Sequence, residues 1–213
     1  MKKTLLLLAI SLLFTAMGNA QTKRPVRKTN KTTTKAPTPT PAPPSANGKF
    51  KFYYSKEKDG FFNDTDGKDY IVVTAEGKST SDIKSSLMST LSSMYSNPSK
   101  VISTLGDNII NVTAYASDVF QYPFASSLKH YSFTYNIKME IKDGKVKLDT
   151  PSFSNILEQE VFMGQTIGTE YLDTKGLYMA LFFAKELEQA KVESLINSHI
   201  TKIVSGLSSN SDW

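Results

Sequence analysis

One segment of the sequence alternates apolar and polar residues so strictly that it predicts a β-strand with one buried face. Its apolar positions are Tyr131, Phe133, Tyr135, Ile137, Met139 and Ile141. Side chains of a strand point to opposite faces in turn, so all six lie on one side of a sheet. Asp143-Gly144 then predicts a two-residue hairpin turn that sets Ile141 opposite Val146. The same register sets Met139 opposite Leu148, so the apolar faces of both strands coincide.

Other short apolar and β-branched runs predict further strands. These runs are Phe50 to Tyr54, Tyr70 to Ala75, Val101 to Leu105 and Ile109 to Ala116. The last two flank Gly106-Asp107-Asn108, which predicts a second hairpin. Residues 151–170 mix apolar, polar and glycine positions without a clear period, and we predict no element there.

Two segments have helical spacing. After the cap candidates Ser79–Asp82, apolar residues recur along one face up to Tyr95, and Pro98 marks the end of the helix. Asp173 or Thr174 caps a second helix that is predicted to continue to about Ser205. Its predicted inner side consists of Leu177, Leu181, Ala184, Leu187, Leu195, Ile196, Ile200, Ile203 and Val204. Together these elements predict an α+β domain, a curved antiparallel sheet with one short helix and one long C-terminal helix packed on it.

The N-terminal part of the chain has a different composition. Two lysines precede an uncharged apolar stretch that ends in Gly18-Asn19-Ala20, so residues 1–20 are predicted to be a cleaved signal peptide. Residues 21–48 are rich in Thr, Pro and Lys and have too little apolar surface to form a core, which predicts a disordered basic linker. Residues 49–213 then form a single domain.

The signal peptide predicts export, to the periplasm or out of the cell. Its apolar stretch is shorter than the roughly 20 residues that span a bilayer, which favours a cleaved signal over an anchor. No later apolar run is long enough to span, so no transmembrane segment is expected after cleavage. The chain has no Cys, which excludes disulfides and a lipid linked through Cys.

The net charge of +5 is distributed unevenly. Eight of the 25 basic residues and none of the 20 acidic residues lie within residues 1–48, which leaves residues 49–213 with a net charge of −3. Such a domain lacks the basic surface that nucleic-acid binding requires, and no nucleic acid is expected as partner. The six cations of the linker fit either a solubilising spacer or peripheral contact with an anionic envelope surface.

The sequence predicts no catalytic residue, no metal site and no cofactor. Thiol chemistry is excluded without Cys, and the acidic segment Asp64–Asp69 has Ala75 where a calcium loop needs Glu, so an Asp-Gly turn is favoured. His130 and His199 lie in no catalytic motif. We therefore expect a protein that is not an enzyme. A Glu or Asp beside His130, or two carboxylates in a pocket, would favour a hydrolase instead.

Aromatic residues cluster around Pro123 in a segment that we interpret as a loop. They are Tyr115, Phe120, Tyr122 and Phe124. Aromatic side chains in a loop are less easily explained by regular core packing, so these four are candidate partner-binding residues. Anchoring of the loop to the core by these aromatic side chains is the favoured interpretation, and an exposed partner surface is the alternative.

The region from about 50 to 155 resembles a family of exported bacterial domains of unknown function with a TBP-like (TATA-binding-protein-like) fold. The resemblance rests on the runs Asp69–Gly77, Ser79–Asp82 and Tyr135–Lys145 and on the order of the elements. It implies a curved TBP-like sheet, a Gram-negative envelope setting and no established activity. The basic linker and the long C-terminal helix are departures from the simplest form of that family.

Three functional hypotheses follow for residues 49–213. The leading one is a non-catalytic envelope domain that binds a protein or another envelope partner through the sheet or the segment around Pro123. The alternative is a carrier of a small molecule or lipid, with a cavity between the sheet and the C-terminal helix. A hydrolase is the third hypothesis and would need convergent polar groups in a pocket.

Overall fold

The computed structural model describes residues 50–142 and 144–208. The predicted signal peptide, the whole of the predicted linker and Asp143 of the predicted turn lie outside the described residues. The elements are β1 (Phe52–Ser55), β2 (Gly60–Asn63), β3 (Tyr70–Thr74), α1 (Thr80–Met94), α2 (Pro98–Val101), β4 (Ile102–Leu105), β5 (Ile109–Phe124), β6 (Ser127–Lys142), β7 (Lys145–Asp149), β8 (Ser152–Phe162), β9 (Gln165–Leu172), α3 (Thr174–Phe183) and α4 (Glu186–Ser208).

Seven strands form one antiparallel sheet, and β1 and β2 form a separate hairpin. The order in the main sheet is β3-β7-β6-β5-β4, with β8 paired to β6 and β9 paired to β8. Because β6 is 16 residues long, it pairs with β7 through its C-terminal end and with β8 through its N-terminal half. The predicted α+β class with an antiparallel sheet and C-terminal helices is confirmed.

The alternating strand has the predicted buried face. All six apolar residues from Tyr131 to Ile141 are buried in β6. In the β6–β7 hairpin, Ile141 lies opposite Val146 and Met139 lies opposite Leu148, which confirms the predicted register. Gly144 adopts a φ of 71°, a left-handed conformation that glycine reaches without strain.

Helix α1 begins and ends where the sequence predicts. The Ser79 hydroxyl accepts a hydrogen bond from the Asp82 backbone N–H, and the Asp82 carboxylate accepts one from the Ser79 N–H. This reciprocal cap satisfies two backbone donors of the first turn. The helix buries Ile83, Leu87 and Leu91 and ends at Met94.

The prediction of one long C-terminal helix is wrong, because the segment forms two helices. Asp173 caps α3 as predicted, but Ala184 is extended, with φ −66° and ψ 152°. The Gln189 side chain donates to the backbone carbonyls of Leu181 and Ala184 at 2.6 and 3.2 Å. This side chain satisfies carbonyl groups that a continuous helix would have bonded internally, which stabilises the break.

The break also changes which residues of α4 are buried. Leu187, predicted on the inner side, is 71 % exposed. The break changes which face of the helix points to the core, and the buried residues of α4 are Val192, Ile196, Ile200, Ile203, Val204 and Leu207. Near the end of α4, a Cβ at Gly206 would lie 2.1 Å from the Thr90 hydroxyl of α1, so the close approach of α1 and α4 requires glycine.

Side chains of α4 close the edge of β1. The Asn197 amide accepts from the Phe52 N–H and donates to the Phe52 carbonyl, both at 2.8 Å. The Glu193 carboxylate accepts from the Tyr54 N–H at 2.8 Å. These side chains bond the backbone as a neighbouring strand would, so the first strand is held by the last helix.

His199 of α4 is half-buried and forms a polar pair with Tyr135 of the sheet. Its Nδ1 lies 2.7 Å from the Leu195 carbonyl, which can only accept, so Nδ1 carries the proton of the neutral ring. Nε2 then accepts from the Tyr135 hydroxyl at 2.8 Å. Burial lowers the pKa of His199 from its ordinary value of 6.5, and the bond to Leu195 opposes this effect only in part.

We expect the fold to lose stability when the pH falls below 6.5. Because the pKa of His199 is lower in the folded state than in the unfolded state, its stabilising contribution is complete above pH 6.5. It is lost as the pH falls towards the folded-state pKa, by at most about 1.4 kcal/mol per pH unit. Denaturant unfolding of the wild type and of His199→Gln between pH 7 and 5 measures this. The loss should be smaller in His199→Gln and unchanged in the matched control Ser194→Ala, on the exposed side of the same helix. Equal losses in all three proteins would contradict the prediction.

Candidate functional site

Parts of four strands form one end of the main sheet, and we name this end the arm. It comprises residues 119–124 of β5, 127–132 of β6, 157–162 of β8 and 165–172 of β9. A bulge in β5 between Ala116 and Phe120 and an irregularity between β6 and β8 separate the arm from the rest of the sheet. Such register shifts bend and twist a strand, and here they divide β5 and β6 into two parts.

The loop interpretation of the segment around Pro123 is wrong, because the segment is part of strand β5. Proline lacks the N–H that a central strand needs, but it is accepted where one side of the strand has no neighbour. Beyond residue 112, β5 pairs only with β6 among the described strands, so Pro123 lies on such an edge. The spacing of Phe120, Tyr122 and Phe124 at every second position was the strand signal.

The structure brings three of the four candidate partner-binding residues together. Phe120, Tyr122 and Phe124 lie on the inner face of the arm, the face that continues the buried side of β6. Tyr115 precedes the bulge and lies on the opposite face, so it does not join them. Phe120 is fully buried and stacks on Tyr131, with ring centroids 4.4 Å apart. It therefore packs against the site as part of the core and is not itself exposed to a partner.

A buried carboxylate organises the inner face of the arm. The Glu158 carboxylate of β8 accepts a hydrogen bond from the Tyr131 hydroxyl at 2.5 Å. It also forms an ion pair with the Lys129 ammonium, at an N–O distance of 2.5 Å. The Lys129 ammonium lies 4.5 Å from the centre of the Phe124 ring, a cation–π contact. Burial and, next to it, the bond to Glu158 raise the pKa of Tyr131, so the phenol stays protonated and donates.

Two further glutamates lie on the same face. Glu160 accepts from the Ser127 hydroxyl at 2.5 Å. Glu170 of β9 lies directly opposite Glu158 and has no hydrogen bond or ion pair to another described side chain. Three carboxylates and one lysine leave this face with an excess of negative charge. Sequence analysis predicts no element here because residues 151–170 show no clear apolar period, although Glu158 and Glu160 are two positions apart, as in a strand.

Both hairpins of the arm end in exposed apolar side chains. The β5–β6 and β8–β9 turns lie side by side because Leu128 pairs with Val161. The large apolar residues of these two ends are Phe124, Leu128, Phe162 and Met163, which are 49, 40, 37 and 88 % exposed. We name this group the tip. Phe124 and Phe162 project on the inner face and Leu128 on the opposite face, so the two adjacent hairpin ends expose apolar side chains on both faces. Such groups of exposed large apolar side chains are typical of an interaction surface.

The structure places an aspartate beside His130, the condition that favours a hydrolase. The Asp118 carboxylate lies 2.8 Å from Nδ1 of His130, and the Gln121 amide approaches the same nitrogen at 3.4 Å. Within residues 50–142 and 144–208, no serine or threonine hydroxyl is hydrogen-bonded to the His130 ring. An aspartate–histidine pair without a nucleophile lacks the third member that nucleophilic hydrolysis requires.

The acidic segment near β2 is structural. Asn63 and Lys68 bind the Asp66 carboxylate at 2.6 Å each, and the Asp64 carboxylate accepts from the Lys51 N–H at 3.2 Å. Asp59 accepts from the Tyr54 hydroxyl. Across the part of the chain that the structure describes, no three His, Asp or Glu side chains are grouped to hold a metal ion.

None of the helices formed by the described residues is both long enough and apolar enough to cross a membrane.

Comparison with known proteins identifies similarity of fold only. No protein-family model and no curated protein matches the chain. A DUF4468 family protein from Bacteroides ovatus is similar in structure at 10 % identity with a TM-score of 0.44, over 68 % of this chain and 87 % of that chain. A TBP-like protein from Parabacteroides distasonis is similar at 10 % identity with a TM-score of 0.41, over 65 % and 90 %. One description names a DUF family and the other names a TBP-like protein, the two features of the class of domain that the sequence resembles. Similarity at this level says nothing about activity, ligands or residue roles.

Proposed function

We propose that this chain is an exported, non-catalytic binding domain of the bacterial envelope that holds a protein partner at its arm. The observation that carries the proposal is the tip, where two adjacent hairpins expose Phe124, Leu128, Phe162 and Met163. Groups of large apolar side chains on a protein surface lower its solubility. They are found mainly at sites where a partner covers them.

The inner face next to the tip supports binding rather than catalysis. Tyr131 and Lys129 are both bonded to Glu158, and Ser127 is bonded to Glu160, so the polar groups satisfy one another. Such a network fixes side-chain positions and provides a rigid rim for a docking surface. In contrast, a catalytic site needs a nucleophile or base that is aimed at a substrate.

A carrier receives less support. The cavity it needs would lie between the main sheet and α4, where Ile196, Ile200 and Ile203 of the helix are fully buried in the same core as the inner face of β6. A carrier also offers no reason for the exposed tip.

We expect a photo-reactive phenylalanine in place of Phe162 to crosslink to one protein when the full chain is expressed in its native envelope. The matched control carries the same residue in place of Leu105, which is exposed at the β4–β5 turn, the other end of β5. Mass spectrometry identifies the crosslinked product, and the identified protein is purified and its binding to the chain measured.

The tip variant Leu128→Ser with Met163→Ser should abolish the crosslink and weaken binding of the purified partner at least tenfold, because anchor residues carry most of the energy of an interface. Circular dichroism should show the variant folded. Equal crosslinking at Phe162 and Leu105, a crosslink to lipid, or unchanged binding by the variant would each contradict the proposal.

A further inference from the structure

We propose that β9 is a docking edge, which accepts an extended segment of a protein partner as an added strand of the sheet, with a cationic side chain of that segment facing Glu170. This inference rests on the proposed function and names the kind of partner segment that the arm binds.

The outer side of β9 is an unprotected strand edge. The strand is eight residues long and pairs only with β8 among the described strands. Proteins normally protect such edges with lysine, proline or a very short strand, because unpaired backbone N–H and C=O groups recruit another strand. The sequence of β9 is Gln-Thr-Ile-Gly-Thr-Glu-Tyr-Leu, which contains no lysine and no proline. A register shift affects the end near the tip, and Gly168–Leu172 keep a regular register with β8.

Other edges of the same chain have protection that β9 lacks. Asn197 and Glu193 of α4 bond the edge of β1, and the Glu188 carboxylate of α4 accepts from the Gln121 N–H at the edge of β5. The edge strand β4 is only four residues long. No described side chain bonds the backbone of β9 from outside, so this eight-residue edge next to the exposed tip lacks such protection.

The side chains beside this edge define the chemistry of the partner segment. Glu170 projects on the inner face, where the nearest cation of the arm, Lys129, is already paired with Glu158. Tyr171 projects on the opposite face and is strongly exposed. Side chains of neighbouring strands pair on each face of a sheet. The alternate side chains of an added strand would therefore lie beside Glu170 on the inner face and beside Tyr171 on the opposite face. A segment that alternates cationic and apolar residues matches both faces.

The probe is a blocked synthetic peptide as long as β9 in which lysine alternates with valine, added to the full mature chain. We expect binding by fluorescence anisotropy and, by hydrogen–deuterium exchange, new protection confined to residues 165–172. Glu170→Lys should weaken binding about tenfold, because it replaces an attraction with a repulsion. The matched control Glu57→Lys, in the exposed turn between β1 and β2, should leave binding unchanged. The same peptide methylated at its backbone nitrogens lacks donors and should not bind.

Several results would overturn the inference. They are protection on another strand, equal binding of the methylated peptide, and equal affinities of Glu170→Lys and Glu57→Lys. Dimers of the mature chain that dissociate in Glu170→Lys would assign the edge to a second copy and overturn it as well. The proposed function fails separately: if the crosslink at Phe162 persists while the peptide does not bind, only the docking edge is wrong. If the peptide binds while the tip does not crosslink, only the role of the tip is wrong.

Discussion

Replacing Glu158 with Ala should destabilise the domain by about 3–5 kcal/mol, a large part of the total stability of a domain this size. The change leaves the Lys129 ammonium without its counter-ion and the buried Tyr131 hydroxyl without its acceptor. A buried charge or polar group that loses its partner keeps its desolvation cost. Denaturant unfolding followed by circular dichroism measures the loss.

Two comparisons separate this effect from a general loss of side-chain packing. Glu170→Ala, on the same face without a described partner, should change stability by less than about 0.5 kcal/mol. The double variant Glu158→Leu with Lys129→Met removes both charges and should recover much of the stability. If that double variant folds but no longer binds the partner, the charged cluster contributes to binding. Equal losses for Glu158→Ala and Glu170→Ala would show that Glu158 does not organise the arm.

Replacing Asn197 with Ala should destabilise the domain by about 2–4 kcal/mol. The amide bonds both the N–H and the carbonyl of Phe52, and the variant leaves two backbone groups without partners at the edge of β1. Phe52 is fully buried, so detachment of β1 also exposes core surface. Denaturant unfolding measures the loss in free energy, and exchange of the Phe52 amide hydrogen reports local opening.

Asn197→Asp tests the geometry of the amide directly. A carboxylate can still accept from the Phe52 N–H but cannot donate to the Phe52 carbonyl, so it should restore only part of the stability. Ser194→Ala on the exposed side of α4 is the matched control and should change little. A stable Asn197→Ala protein with slow exchange at Phe52 would show that packing alone holds β1.

Elements of the main sheet could be predicted from the sequence where a local pattern of apolar and polar residues decides which side chains are buried. The alternation in β6, the register of the β6–β7 pair and the capping box of α1 each depend on neighbours within a few residues, and each prediction is confirmed. The break between α3 and α4 could not be predicted in this way. Ala184 and Lys185 favour a helix, and the break depends on the Gln189 side chain reaching back to two carbonyls.

The arm shows the same limit for the candidate site. The aromatic positions Phe120, Tyr122 and Phe124 are visible in the sequence, but Pro123 suggested a loop because the edge that tolerates it is a tertiary feature. The cluster around Glu158 was missed because its members come from β6 and β8, about 30 residues apart, and meet only through strand pairing. The partner of His130 likewise depends on the bulge that carries Asp118.

The bond between Phe52 and Asn197 joins residues 145 positions apart, so the first strand is completed by the last helix. Contacts this distant in sequence form slowly, because the chain must close a long loop before they contribute. During synthesis the ribosome releases β1 well before α4 has been made. The Phe52–Asn197 contact can therefore form only after synthesis of α4, and until then the backbone edge of β1 lacks these side-chain partners.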